Sequence, residues 1–342
     1  MRELLAGEEA WIVGGAVRDL LLGRPLIDLD VACRDPRAAA FRFAGRYGGA
    51  AFPLSDRHRA WRVVRAGLDE TVDFTPLPDG IERDLATRDF TLNAIALPVE
   101  GGEPHDPHGG RADLEAGILR AVSDTVFVDD PLRLLRGVRL EDELGLQMDE
   151  RTEALLRASR DLVTEPASER ILAELRRLSA PGYRRLDELG LLAPLGGSLD
   201  GPLDALDDAD FLLVAVFRDR LARLPISNEL RRYASTLLQA QRPPDSSPRA
   251  VHRFRRDTEP WALDALAFVG AWELSGLVEA ARAAEPAEPL VRGDELGLPP
   301  GPEIGRILAR IDEERAAGAI STREDALALA RSLAEDAEGA TP

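Results

Sequence analysis

The sequence has no lysine: its 43 basic residues are all arginine, set against 61 acidic ones for a net charge of −18. So acidic a chain offers no general polycationic surface, and a polyanionic partner must be met by a local arginine patch. Arginine is the side chain best shaped for bidentate phosphate contacts. The acid excess gathers partly in 200–210 and 273–342, which leaves such a patch room elsewhere. Cysteine is almost absent too. Cys33 alone excludes an internal disulfide and fits a reducing compartment, so the expected location is the cytoplasm. Following Asp30-Val31-Ala32, it reads as a small buried hydrophobe rather than a reactive thiol. No apolar run approaches a membrane span, and the polar start from Met1 to Glu9 is not expected to be a signal peptide. His105 and His108 stand three apart with no Cys or His cluster beside them, which argues against a metal site there. No long internal repeat and no His-Asp dyad of the metal-phosphohydrolase type is present. At 342 residues the chain is long enough for two or three domains.

What is present is organised around residues 11–31. Trp11-Ile12-Val13 reads as a strand, Gly14-Gly15 as a turn, and a helix opens with Arg18 and Asp19. A second strand carries Asp28 and Asp30 at i, i+2, so both carboxylates share one face while Leu29 turns to the core. Two strand rises separate them by about 7 Å, close enough to converge on one or two divalent ions. Ions roughly 4 Å apart can clamp the attacking and leaving oxygens of a phosphoryl transfer. Gly14 and Gly15 leave bare backbone at a helix start, where phosphate is favoured, and Arg18 adds a positive fork.

Further along, Asp35-Pro36 opens a helix to Tyr47, closed by Gly48-Gly49. Residues 52–74 alternate as a hairpin, with 59–64 pairing with 70–74 across Gly67. Asp73, expected at a strand end, is either a third cleft carboxylate or a surface residue. Arg88, Asp89 and Asn93 supply a guanidinium, a carboxylate and an amide within six positions, a set suited to a triphosphate and a ribose hydroxyl. The turn His105 to Leu114 reads as structural. From about Asp124 the periodicity is helical. Asp130 and Pro131 read as N-cap and first helical residue, followed by Arg133, Arg136 and Arg139 at near-helical spacing. A paired Asp and Arg can match the hydrogen-bonding edge of a base. The stretch 242–248 reads as a loop, and His252 to Arg256 as a basic-aromatic candidate for RNA contact, or simply a surface. Residues 335–342 are acidic and expected to be disordered.

These motifs resemble, in order, those of the class II tRNA nucleotidyltransferase and bacterial poly(A) polymerase family. Gly14-Gly15…Arg18-Asp19…Asp28-Leu29-Asp30 is similar to its motif A, and Arg88-Asp89-Phe90-Thr91-Leu92-Asn93-Ala94 to its motif B. Asp129-Asp130-Pro131-Leu132-Arg133 resembles the amino-acid template, with Asp129 where glutamate is usual, and Leu135-Arg136…Arg139 follows it. Ser168-Glu169-Arg170 is similar to motif E, expected to brace the neck. The resemblance implies an α+β chain: a polymerase-beta-like mixed-sheet head over 1–122, then an all-α neck (123–182), body (183–284) and tail (285–342) in a seahorse-like molecule. It implies transfer of nucleotides from CTP and ATP to a tRNA 3′ end without a nucleic-acid template. Asp28 and Asp30 would hold Mg²⁺ as the catalytic pair. Gly14, Gly15, Arg18 and Arg88 would hold the triphosphate, with Asp89 and Asn93 near the ribose. Asp130 and Arg133 would choose the base, supported by Arg136 and Arg139. Body and tail would contact tRNA from its 3′ end to its elbow.

Only nine residues separate Phe74 from Asp84, where CCA-adding relatives have a longer flexible loop. The shortness favours CC addition, with a separate A-adding enzyme acting on the same tRNA. The alternatives are a poly(A) polymerase or A-adding enzyme and, in another class, an inactive RNA-binding protein.

Overall fold

Apolar alternation along residues 10–98 builds one mixed six-stranded sheet in the computed structural model, which describes all residues except 6, 27, 56–58, 66–70 and 340–342. The elements run β1 (Ala10–Val13), α1 (Gly15–Leu21), β2 (Asp28–Cys33), α2 (Pro36–Tyr47), β3 (Ala50–Ser55), β4 (Ala60–Val64), β5 (Thr71–Pro76), α3 (Ile81–Ala86) and β6 (Ala96–Pro98). The strand order is β3-β4-β5-β2-β1-β6. β2 pairs in parallel with β5, and the other neighbours are antiparallel. Asp35 caps α2 by accepting the Ala38 N–H at 3.0 Å, as its place before Pro36 predicts. β4 and β5 form the expected hairpin, with Trp61 opposite Phe74 and Val63 opposite Val72. The expected turn at Gly67 and the pairing of Glu70 lie outside the described residues.

The two sheet faces have different tasks. Val31, Cys33, Val63, Val72 and Phe74 pack on one face against Ala39, Ala40 and Phe43 of α2, with Leu29 at the margin. On the other face the apolar cluster of Val13, Ala32, Ala94 and Ala96, with Leu77, Ile81 and Leu85 of the α3 region, stops short of Asp28 and Asp30. Period-two alternation therefore buries the sheet on one side and leaves a polar half-face on the other.

After the sheet come α4 (Gly110–Ala116), β7 (Ile118–Leu119), α5 (Val126–Asp129), α6 (Arg133–Leu144), β8 (Gln147–Met148), α7 (Glu150–Ser159), α8 (Ser168–Leu175) and α9 (Ala180–Glu188). Gly110 sits so close to the chain after β5 that an added Cβ would lie 2.1 Å from the Thr91 carbonyl oxygen, which agrees with a structural role for this turn. β8, inside the stretch read as helical, pairs in parallel with β7, which precedes it; two-residue strands are too short to leave a period in the sequence. α6 begins at Arg133 rather than Pro131. Asp130 is extended (φ −145°, ψ 101°), as a residue before proline prefers, and its carboxylate accepts the Leu132 N–H at 3.2 Å.

Contacts divide the chain into two compact units, Met1–Gly196 and Gly197–Pro342. The second contains α10 (Ala209–Phe217), α11 (Asn228–Gln239), α12 (Pro248–Thr258), α13 (Ala262–Phe268), α14 (Ser275–Ala283), α15 (Pro302–Ala316) and α16 (Arg323–Gly339). The expected loop at 242–248 joins α11 to α12. Val291, Ile307, Ile311, Ala326 and Ala330 form the core between α15 and α16. α16 runs to Gly339, so the described part of the acidic end expected to be disordered is helical, although the apolar residues packed on the α15–α16 core reach only Ala334. Among the described residues no helix is long and apolar enough to cross a membrane.

Candidate active site

The polar half-face of the sheet is laid out in rows by strand register. Arg62, Asp73, Asp30 and Val13 are register partners across β4, β5, β2 and β1, and Thr71 stands beside Asp28. Asp28 is exposed at the start of β2 and accepts the Thr71 hydroxyl at 2.6 Å. Asp73 lies inside β5 rather than at its end. Arg62 grips it through Nε and Nη2 at 2.7 and 2.6 Å, a bidentate pair. Burial pushes the Asp30 carboxyl above its ordinary range; Arg88 opposes this, while Asp73 and Asp28 add to it.

Gly14 caps α1 at φ 70°, ψ −143°, a conformation open to glycine. A Cβ there would lie 3.1 Å from Oδ2 of Asp30 and 3.2 Å from Nη1 of Arg88, so the absent side chain lets both groups close over the turn. Arg18 is turned the other way. It is 8% exposed, pairs with Asp19 at 2.8 Å and donates to Oδ1 of Asn93 at 2.9 Å. Asn93 passes this order on, donating to Asp89 at 3.0 Å. Asp89 also accepts the Phe90 N–H at 2.8 Å and lies 2.6 Å from Nε of Arg136. Burial alone would raise the Asp89 carboxyl, but Arg136, Asn93 and the Phe90 N–H outweigh it and hold it below the usual range. Packing sets this junction. Phe90 is fully buried, and a Cβ on Gly137 of α6 would lie 3.1 Å from its ring, so the helix seats closely on the segment that carries Asp89.

Arg88 is braced by Asp84 one helical turn earlier, at 2.7 and 3.0 Å. Across the cleft, Asp130 does not pair with Arg133. Arg170 of α8 takes it, at 2.9 and 3.4 Å, while Arg133 donates to the Thr87 carbonyl at 2.8 Å. These groups line a cavity of about 340 Å³, within the size range of small-ligand clefts.

Of the residues singled out from the sequence, Gly14, Gly15, Asp30, Arg88, Asp89, Asn93, Asp130, Arg133 and Arg136 line this cavity. Asp28 stands at the strand start beyond the lining, and Arg18 acts behind it through Asn93. Arg139 is turned away: it is 4% exposed and pairs with Glu174 at 2.7 Å and Glu143 at 3.3 Å, because α8 covers that side of α6. Asp84, Thr87 and Arg170 line the cavity without having been singled out as site residues. Asp84 had a signal in its i, i+4 spacing to Arg88. Arg170 carried only its place in a segment expected to brace the neck.

In the C-terminal unit the basic run 252–256 lies on α12. Arg253 is paired with Glu313, and Arg255 with Glu259 and Glu285, so much of its charge is met internally. A larger cavity of about 650 Å³ in the same unit is lined by His252 and Arg255 of that run and by Pro286, and by none of the residues expected at the nucleotide site.

Among the described residues no three or more His, Cys, Asp or Glu side chains form a complete metal cage. Mg²⁺ needs less: one or two carboxylates, with phosphate oxygens and water completing the octahedron. Asp28 and Asp30 provide that donor set on one face, and the incompletely balanced charge of Asp30 suits a cation. Guanidinium groups interleaved with carboxylates around a glycine turn can bind a polyphosphate and orient it for transfer.

Comparison with known proteins agrees with this layout. A family profile for the Poly A polymerase head domain matches residues 10–120. A CC-adding tRNA nucleotidyltransferase of Thermus thermophilus is 34% identical, over 94% of this chain and 93% of its own length. An A-adding tRNA nucleotidyltransferase of Deinococcus radiodurans is 32% identical, over 96% of each. In fold, the chain is similar to a Thermotoga maritima CCA-adding enzyme solved in complex with tRNA (TM-score 0.74, 20% identity, 97% of this chain and 94% of that one). It is also similar to a CCA-adding enzyme solved with ATP (TM-score 0.79, 20% identity, 95% and 92%). With two relatives above 30% identity along nearly the whole chain, this protein belongs to the class II tRNA nucleotidyltransferase family.

Proposed function

We propose that the protein adds nucleotides to the 3′ end of tRNA without a nucleic-acid template, using CTP in the favoured reading and ATP in the second. The observation that carries this reading is the Asp28–Asp30 face of β2 beside a cavity lined by Gly14, Arg88, Asp130 and Arg133. In this reading Arg88 and the Gly14-Gly15 backbone bind the triphosphate, and Asp84 keeps Arg88 extended toward it. Asp89 and Asn93 meet the ribose, with Arg18 and Arg136 holding them in place. Asp130 and Arg133 present an acceptor and donors to the base edge, the first anchored by Arg170 and the second by the Thr87 carbonyl. Asp28 and Asp30 would hold Mg²⁺, which when bound supplies activation of the 3′-hydroxyl and neutralisation of phosphate charge. We assign residues 1–122 to the catalytic head, 123–182 to the neck, 183–284 to the body and 285–342 to a tail that contacts tRNA, and place the protein in the cytoplasm.

CC addition is the favoured specificity. β5 ends at Pro76 and α3 starts at Ile81, so a four-residue link stands where a flexible loop would be needed to reset the pocket for A. A addition is the second reading, supported by the Deinococcus relative. Incubation with labelled CTP and ATP of tRNA transcripts ending before the CCA and after its second C separates them. CC product from CTP, with no A added, is expected. A full CCA product rejects the restricted reading, A added only to the CC-ended transcript selects the second, and no incorporation rejects the activity.

A further inference from the structure

The carboxylate placed nearest to Asp30 by the backbone is Asp73, not Asp28. Asp73 is its lateral register partner on β5, and neighbouring strands run about 4.8 Å apart, whereas Asp28 lies two rises, about 7 Å, along β2. A cation bound at about 2.1 Å from each oxygen joins carboxylates on such neighbouring strands without backbone movement. Yet both Asp73 oxygens are taken: Oδ1 accepts from Nε of Arg62 at 2.7 Å and Oδ2 from Nη2 at 2.6 Å. Arg62 is aimed there by its own register position opposite Asp73, on the same face as Asp30. The pair is partly shielded, with the Asp73 side chain 14% exposed.

We propose that Arg62 withholds Asp73 from the cation site of Asp28 and Asp30, keeping that site to two carboxylates. The inference rests on reading this face as the nucleotidyl-transfer centre. A third carboxylate would hold the ion more tightly and displace the waters whose positions the substrate's oxygens must take. Arg62 is thus a positioning residue, acting through Asp73 on the number of open coordination positions rather than on substrate.

Europium(III) tests this on the apo-protein, because its luminescence decay in H₂O and D₂O counts the waters bound to the ion. Relative to wild type, Arg62→Met is expected to bind Eu³⁺ about tenfold more tightly and to lose about one or two bound waters as Asp73 enters the coordination sphere. Arg62→Met/Asp73→Asn is expected to restore the wild-type water count. Tighter binding with an unchanged water count overturns the proposal, since removal of a nearby positive charge would explain it. So does water loss that persists in the double variant. Should Arg62→Met fail to fold, Arg62→Lys, which keeps the charge but loses the fork, is read the same way: fewer bound waters support the proposal and an unchanged count overturns it. Asp30→Asn separates the two levels: if it binds Eu³⁺ as wild type does, the site reading itself fails.

Discussion

Arg170 donates to both oxygens of Asp130, at 2.9 and 3.4 Å, from a helix forty positions further along the chain. The two side chains are 53% and 33% exposed, a setting in which an ion pair contributes about 0–1 kcal/mol to stability. Its consequence is orientation: it holds the Asp130 acceptor facing the cavity while the Thr87 carbonyl holds Arg133. Arg170→Ala is therefore expected to leave the melting temperature within about 2 °C of wild type. The loss should fall on binding, with KM for CTP raised about tenfold and kcat changed less than about threefold. Competition between CTP and ATP in single-addition assays should show weaker discrimination. A change in kcat alone would place Arg170 elsewhere in the reaction.

Asp30 makes the opposite trade between fold and function. Its carboxyl titrates above the ordinary value of 3.8, mainly through burial. A carboxyl with a raised folded pKa adds stability only while protonated; that contribution is complete below pH 3.8 and is lost as pH rises through the folded value. At neutral pH the ionised group therefore weighs against the apo fold. Asp30→Asn is expected to raise the melting temperature at pH 7 and abolish nucleotide transfer. The stability gain should shrink as the pH approaches 3.8. Thermal scans of both proteins across that range check the sign, and a destabilised variant at pH 7 would refute it.

Gly14 tests the floor of the cavity. Any other residue at φ 70°, ψ −143° is strained by roughly 1–3 kcal/mol. Its Cβ would also press on Asp30 and Arg88, at 3.1 and 3.2 Å. Gly14→Ala should cost that much in urea unfolding and reduce kcat/KM about 100-fold or more, because misplacing reacting groups is costly. Ala at Gly45, exposed within α2 with no atom within 4 Å of an added Cβ, is the control and should retain activity.

The parts of the site legible in the sequence are those set by short-range geometry. Asp28 and Asp30 share a face because strands alternate, and Arg88 to Asn93 fall together because six positions cannot spread far. Arg62 escaped notice because its partner depends on the register of β4 against β5, and apolar alternation alone does not set that register to the residue. Arg170 reaches Asp130 only after the chain between them has folded. Arg139 shows the reverse failure. An arginine stripe at helical spacing reads as one face, but α6 is covered from more than one side, by Phe90 against Gly137 and by Glu174 against Arg139. Spacing along a helix does not say which of its faces are covered.

Asp89 is buried and is kept ionised by its neighbours. It is 7% exposed and relies on Arg136, with Asn93 and the Phe90 N–H in support. Removing one partner of a buried pair costs about 3–5 kcal/mol; because the Arg136 side chain is 40% exposed, the lower end, about 3 kcal/mol, is expected for Arg136→Met. The Asp89 carboxyl titrates below 3.8, so its contribution is present above that pH and is lost as pH falls through the lower folded value. The difference between wild type and Arg136→Met in urea unfolding should then be full at neutral pH and shrink as the pH falls, beginning where the variant's stranded carboxyl, raised by burial, takes up its proton and ending below 3.8, where the wild-type carboxyl does. Asp89→Asn added to Arg136→Met removes the stranded charge and should recover much of the lost stability. It should not recover activity, because the amide leaves Asn93 facing a second neutral group where a carboxylate had fixed it. If the double variant is no more stable than Arg136→Met, the cost lies in lost packing of the arginine stem, not in an uncompensated carboxylate.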